Sequence, residues 1–238
     1  MTKRLFDIVF SLAALAATLP VVAIAALLVW AGDGQSPFYR GLRVGRFGRE
    51  FRMIKIRTMI VESEPLGCSS TALSDPRLTR LGVALRRFKI DELPQFWNVL
   101  MGDMSVVGPR PNLRLGGTDR YTAAERRLLS VRPGITDLAS IVFSDEGEIL
   151  EGSPDPHAVY DATIRPWKNR LALLYVQHRT IGLDLRLVWL TGLGLISKHS
   201  ALSGVAEILQ RWNVSPQLRE VCARSGKPPV GEPPGQIA

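Results

Sequence analysis

Two adjacent carboxylates, Asp91 and Glu92, stand directly behind a basic run of Arg86, Arg87 and Lys89. Paired acids are common at helix starts, where the dipole favours them by about 0.3–1 kcal/mol. This pair, however, precedes two proline-locked turns, VVGPRPN and VRPGIT. Each holds one arginine, Arg110 or Arg132, in a rigid setting. Carboxylates among several arginines suit a site for phosphate and a divalent cation. The metal would bridge carboxylate and phosphate oxygens, and guanidinium groups would take the remaining oxygens bidentately. Upstream, RMIKIRT alternates in character. Ile54 and Ile56 share one face, and Lys55 and Arg57 add two cations to the other.

The elements that must carry these residues follow from local pattern. The basic stretch RGLRVGRFGREFRMIKIRTM is punctuated by Gly41, Gly45 and Gly48 and ends in the alternating run, which predicts a β-hairpin. LTRLGVALRRFKI spaces Leu78, Leu81, Leu85 and Phe88 as a helix does. DELPQFWNVLMGDMS reads as another helix, with Asp91 as its N-cap and Pro94 in its first turn. AAERRLLS is also expected to be helical, and residues 60–76 to be a polar loop. Residues 144–166 form an acidic, proline-containing stretch resembling an insertion. Helical periodicity returns at Trp167. The apolar segment IGLDLRLVWLTGLGLISKHS, around Asp184, Arg186 and Lys198, fits a membrane-interface helix or a core helix equally. Residues 213–238 are rich in Pro and Gly, which predicts a disordered tail.

No charged side chain occurs between Ile8 and Gly32. That run exceeds the roughly 20 residues a helix needs to cross the hydrocarbon core. It is too long for a signal peptide and lacks a small-residue cleavage site before Asp33. Lys3 and Arg4 precede it, and seven basic residues from Arg40 to Arg57 follow. Positive charge favours the cytoplasmic side, so a helix broken at Pro20 with both ends cytosolic satisfies both flanks. A proline-kinked spanning helix fits the same residues. The chain carries 30 Lys+Arg against 22 Asp+Glu, a balance that calls for anionic partners: nucleic acid, acidic headgroups or phosphate-rich substrates. No nucleic-acid module is present and aromatics make up only 7%, so nucleic acid is not expected. Cys68 and Cys222 show no zinc-site spacing, and a reduced environment is expected.

KIRTM (55–59), KIDELPQFWNVLMGDMSVVGPRP (89–111) and VRPGIT (131–136), in order behind a hydrophobic N-terminus, resemble the signature blocks of the bacterial sugar transferases. These are the monotopic polyprenyl-phosphate phosphoglycosyl transferases. The likeness is good to about residue 143 and weaker to about 195. It implies that Asp91 is the catalytic carboxylate, forming a covalent phosphosugar intermediate, and that Glu92 beside it binds Mg²⁺. Lys55, Arg57, Arg86, Arg110 and Arg132 would bind phosphate, Pro20 would break a re-entrant membrane helix, and Asp184 matches a family position less closely. The implied reaction moves a sugar 1-phosphate from a UDP-sugar to polyprenyl (undecaprenyl) phosphate and releases UMP, initiating exopolysaccharide, O-antigen or glycoconjugate synthesis. A ternary complex with Asp91 as base would use the same residues.

The expected architecture is thus an α+β, mainly helical fold with three parts. Residues 1–32 are a re-entrant anchor in the inner membrane. Residues 33–212 are a compact cytosolic catalytic domain with a small β-hairpin and interfacial amphipathic helices, and 213–238 are the tail. With no further hydrophobic span, this would be a minimal catalytic form. Membrane lipids are expected partners, and the sugar and oligomeric state stay open. Three positions depart from the family pattern: Leu19 before Pro20, where serine is frequent; Gly41 for glutamine; and Asp137 for glycine after RPGIT. Asp137 is expected to alter the loop that holds Arg132. An inactive membrane scaffold for polysaccharide assembly is the alternative from another functional class.

Overall fold

The uncharged N-terminal run, rich in Ala and Leu, forms one helix, α1 (Thr2–Asp33), in a computed structural model that describes residues 2–61 and 75–235. The expected loop over 60–76 falls largely outside the described residues, as does Cys68. At about 1.5 Å per residue, α1 is about 48 Å long. It is long and apolar enough to cross a membrane, and little of its apolar window is buried. Helical conformation continues through Pro20. A change of direction there is therefore a bend within a helix rather than an unwound break.

The hairpin expected from the alternating run is β1 (Phe38–Val44) paired antiparallel with β2 (Glu50–Ile56), Phe38 opposite Ile56 and Val44 opposite Glu50. Its tip is a tight turn in which Gly48 takes a positive φ of 76°, a conformation cheap only for glycine. After α2 (Arg80–Arg87) and α3 (Gln95–Met101), the short strand β3 (Ser105–Val107) runs parallel to β4 (Gly134–Thr136). Just beyond β3, the backbones of Gly108 and Gly134 touch. A Cβ on Gly134 would stand 2.1 Å from the Gly108 nitrogen.

The remaining helices wrap this small sheet: α4 (Leu138–Val142), α5 (Glu146–Ile149), α6 (Pro156–Val159), α7 (Arg165–His178), α8 (Ile181–Ile196), α9 (Lys198–Arg211) and α10 (Pro216–Ala223). Leu138, Val142, Trp167, Leu171, Leu187, Val205 and Leu209 are buried in one continuous core. The described residues are mostly helical, with two small two-stranded sheets.

Several local expectations need correction. Asp91 is not a helix N-cap: it sits inside a 3₁₀ turn, Ile90–Glu92, and Pro94 occupies the N-cap of α3. Segment 125–130 of AAERRLLS is 3₁₀ rather than α, with Glu125 buried against Asn169. Residues 144–166 form no detached insertion, because Ile149, Leu150 and Ile164 are core residues. The tail is not detached: α10 buries Leu218, Val221 and Cys222, and the Pro-rich segment beyond it accepts a bond from Trp167 Nε1 at Pro229 O (2.9 Å). Its composition lowered the expected order, but the apolar spacing of α10 and the fixed φ of its prolines were enough to dock it. Asp137 also has a place of its own in the fold. It N-caps α4 through a reciprocal pair of bonds with Ser140.

Candidate active site

Three backbone devices bring the charged residues together. First, Asn98 on α3 is buried and joins that helix to β2, accepting from Ile54 N (2.9 Å) and donating to Arg52 O (2.8 Å). Ile54 directly precedes Lys55 on β2, so the strand is held immediately before the cation. Second, α2 begins against Thr58, whose hydroxyl accepts from Arg86 Nε at 2.9 Å. Third, Lys89 adopts a left-handed conformation (φ 56°, ψ 22°), which ends the run of α2 and swings Asp91 and Glu92 onto a separate 3₁₀ turn. A non-glycine residue held there stores strain of order 1–3 kcal/mol, a feature concentrated at functional sites.

The two carboxylates then divide sharply. Glu92 Oε1 accepts from Lys55 Nζ at 2.8 Å and from the Arg110 guanidinium, which also reaches Oε2 at 3.2 Å. Burial alone would push the Glu92 carboxyl up, but Arg110 and Lys55 outweigh it and hold it well below the usual carboxylate range. Asp91 is 6% exposed, yet its side chain makes no hydrogen bond or ion pair among the described residues. Burial pushes its carboxyl up, with Lys55 opposing and the Glu92 charge adding to the rise. Asp91 is thus a desolvated, unencumbered carboxylate in a field of cations, suited to act as a nucleophile or base.

The surrounding cations are themselves shaped by burial. Lys55, Arg86 and Lys89 are all lowered from their ordinary values, by desolvation first, with the nearby carboxylates opposing. Arg110 is raised, by Glu92 before all else. Lys55, Arg86, Lys89 and Arg110 therefore form one positive surface around Asp91 and Glu92.

Three expected site residues bond to groups other than the acid pair. Arg57 falls just past the end of β2 and binds both oxygens of Asp33 (2.6 and 2.7 Å) and Ser36 O (2.8 Å), closing the end of α1 against the hairpin. Arg132 gives its Nε to Gly102 O at 2.7 Å, tying the turn before β4 to the end of α3. Asp184 is buried on α8, where it meets Lys3 Nζ (2.9 Å) and accepts from Tyr175 Oη (2.8 Å), joining α8 to α1. All three are engaged in linking elements. Asn98, Thr58 and Lys89 were not among the expected site residues. A lone asparagine in the apolar run QFWNVL was the available signal for Asn98.

Among the described residues no group of three or more acidic, His or Cys side chains could hold a metal by itself. Mg²⁺ commonly takes one or two carboxylates and completes its shell with water and substrate phosphate. Adjacent Asp91 and Glu92, with the former unpaired, fit that mode rather than an all-protein cage.

The sequence matches the bacterial sugar transferase family over residues 1–198. It is 39% identical over 146 residues to a Bacillus subtilis strain 168 protein provisionally named undecaprenyl-phosphate N-acetylgalactosaminyl 1-phosphate transferase, covering 57% of this chain and 82% of that one. The exopolysaccharide production protein PSS of Rhizobium leguminosarum is 34% identical over 197 residues, 79% of this chain and 91% of that one. The UDP-glucose:undecaprenyl-phosphate glucose-1-phosphate transferase of Klebsiella pneumoniae is 34% identical over 203 residues, 83% of this chain but only 41% of its own length. With 198 of its 238 residues inside the family match, the chain belongs to the bacterial sugar transferase family.

Proposed function

We propose that this protein transfers a sugar 1-phosphate from a UDP-sugar to undecaprenyl phosphate, with Asp91 as nucleophile. The observation that carries the reading is the asymmetry of the acid pair: Lys55 and Arg110 occupy Glu92 and leave Asp91 unpaired. The names of the Bacillus and Klebsiella relatives support the lipid acceptor, and the latter a UDP-sugar donor. They differ in the sugar, so the donor here is left to experiment.

In the first step an Asp91 oxygen attacks the sugar-bearing phosphorus. The bond to the bridging oxygen breaks, and UMP leaves with that electron pair. In the second, an oxygen of undecaprenyl phosphate attacks the same phosphorus. The Asp91–phosphorus bond breaks, the carboxylate is regenerated, and a polyprenyl diphosphate sugar is formed. Splitting the displacement avoids bringing two polyanions together at once. Arg86, Lys89 and Arg110 neutralise the transferring oxygens, and Lys55 positions Glu92. Mg²⁺, held by Asp91 and Glu92 when bound, would supply further charge neutralisation on the diphosphate.

The anchor reading is supported by how α1 meets the domain. Near its start, Arg4 donates to Leu100 O (2.7 Å) and to Val99 O at the end of α3. Near its end, Ala25 and Val29 pack on Ile56 and Leu85. Both halves lie against one globular body, which favours both ends on the cytosolic face of the inner membrane. Thr18 Oγ1 bonds Ala14 O (2.7 Å) one residue before Leu19, and such back-bonding beside Pro20 favours a bend. The exposed face of α8, with Leu185, Trp189, Leu195 and Ile196, suits the same interface.

The test is UMP release by detergent-solubilised protein given Mg²⁺, undecaprenyl phosphate and individual UDP-sugars. Release that depends on lipid, metal and Asp91 supports the reading. No release from any donor supports a scaffold instead.

A further inference from the structure

Beyond the acid pair, a second polar group lies within the field of Arg110. Lys168, on the first turns of α7, pairs with Glu146 of α5 at 2.6 Å, with both side chains mostly buried. The same ammonium lies 5.6 Å from the centre of the Tyr160 ring. Tyr160 is 7% exposed, and its hydroxyl has no hydrogen-bond partner among the described residues. The ring is enclosed, while the hydroxyl oxygen is not among the fully buried unpartnered atoms and stays open to a ligand.

The backbone at this point is also unusual. Tyr160 opens a π-helical turn, Tyr160–Ile164, between α6 and α7. Such turns are rare and occur frequently at functional sites. The turn is fixed to the loop that follows Arg110: Arg120 pairs with Asp161, and Arg165 donates to Gly117 O at 3.2 Å. Arg110 in turn grips Glu92. Glu146 adds to the rise of Arg110 after Glu92, and burial of Lys168 is outweighed by Glu146, which holds that ammonium charged. Arg110 thus holds Glu92, and the loop that follows Arg110 holds the turn that begins at Tyr160.

The geometry points to Tyr160, Lys168 and Glu146 as the subsite that receives the sugar ring of the donor and reads its hydroxyl pattern. This rests on the transfer reading above and names the part of the substrate these residues meet. An ion pair of zero net charge beside a phenol suits a neutral, hydroxyl-rich ring better than another phosphate. The Glu146 carboxylate accepts from sugar hydroxyls, the Lys168 ammonium donates to them, and the Tyr160 hydroxyl does either. A site that hydrogen-bonds hydroxyls discriminates strongly, since an unmatched partner leaves buried polar groups unpaired.

The experiment measures kcat and KM with UDP-glucose, UDP-galactose and their N-acetylamino counterparts for wild type, Tyr160→Phe, Lys168→Met and Lys168→Arg. UMP serves as an inhibitor that lacks the sugar. For Tyr160→Phe and Lys168→Met, KM for the preferred donor is expected to rise about tenfold, the effect of one lost hydrogen bond. The preference between glucose and galactose epimers should shift by a similar factor, while UMP inhibition stays unchanged. Lys168→Arg should restore the melting temperature without restoring the epimer preference. Three results overturn the inference: an unchanged epimer preference, equal loss on all donors repaired by Lys168→Arg, or a parallel change in UMP inhibition. Failure of wild type to turn over any donor would instead refute the transfer reading.

Discussion

Lys55 Nζ, on β2, stands 2.8 Å from Glu92 Oε1, on the 3₁₀ turn Ile90–Glu92. The same carboxylate takes the Arg110 guanidinium, so one acid of the pair absorbs two cations and the other none. This division underlies the predictions that follow.

Removing the Lys55 ammonium leaves Glu92 with Arg110 alone. Hydrogen bonds to charged groups contribute about 1.5–3 kcal/mol, and partial exposure of the pair puts Lys55→Met at the lower end. Activity is expected to fall by about tenfold, the equivalent of about 1.4 kcal/mol, because Glu92 loses one of the two cations that position it. Thermal melting and steady-state kinetics on the same preparation check both.

The raised carboxyl of Asp91 sets the acid limb of the pH–rate profile. Only the ionised form is nucleophilic, so kcat/KM is expected to rise with pH through a midpoint above the ordinary aspartate value of about 3.9. Glu92 raises Asp91 and Lys55 lowers it. Glu92→Gln should therefore move the limb to lower pH and Lys55→Met to higher pH, read from residual activity.

The same shift has a stability consequence. A carboxyl whose folded value is raised contributes stability below its unfolded value, which is lost as pH rises through the folded value. At pH 7 Asp91 is therefore a net destabiliser, and Asp91→Asn should raise Tm while abolishing transfer. A gain of about 1 kcal/mol corresponds to about 2–4 °C for a chain of this size. Glu92, held low, has the opposite sign. Its contribution is present above the unfolded value of about 4.3 and disappears as pH falls through the folded one.

Asn98→Ala would leave Ile54 N and Arg52 O without their side-chain partner. Orphaning buried groups costs about 1–3 kcal/mol each, and Lys55 loses its backing. Asn98→Asp, which keeps the acceptor but not the donor, should retain part of the stability. Denaturant unfolding of the three proteins separates these effects.

The sequence made the chemical centre legible and the supports much less so. Asp91, Glu92, Lys55 and Arg110 stood out because charged residues beside fixed turns have few structural uses, and Lys55 and Arg110 both meet Glu92, the chain neighbour of Asp91. Arg57 and Arg132 carried the same signals yet tie elements together, since an arginine's reach does not reveal which acceptor lies near it. The hairpin was readable from period-two alternation over 53–57. The parallel pair of β3 and β4 was not, because each strand has three residues and the pairing depends on Gly108 meeting Gly134. Order in the tail depended on Trp167, far away in sequence.

The most direct test of the central claim is intact-mass analysis of the protein incubated with its UDP-sugar and Mg²⁺ but without lipid acceptor. A mass gain of one sugar phosphate, mapped to Asp91, accompanied by stoichiometric UMP and discharged by undecaprenyl phosphate, is the predicted result. Absence of any adduct in an enzyme that turns over normally, with UMP appearing only when donor and lipid are both present, would contradict it.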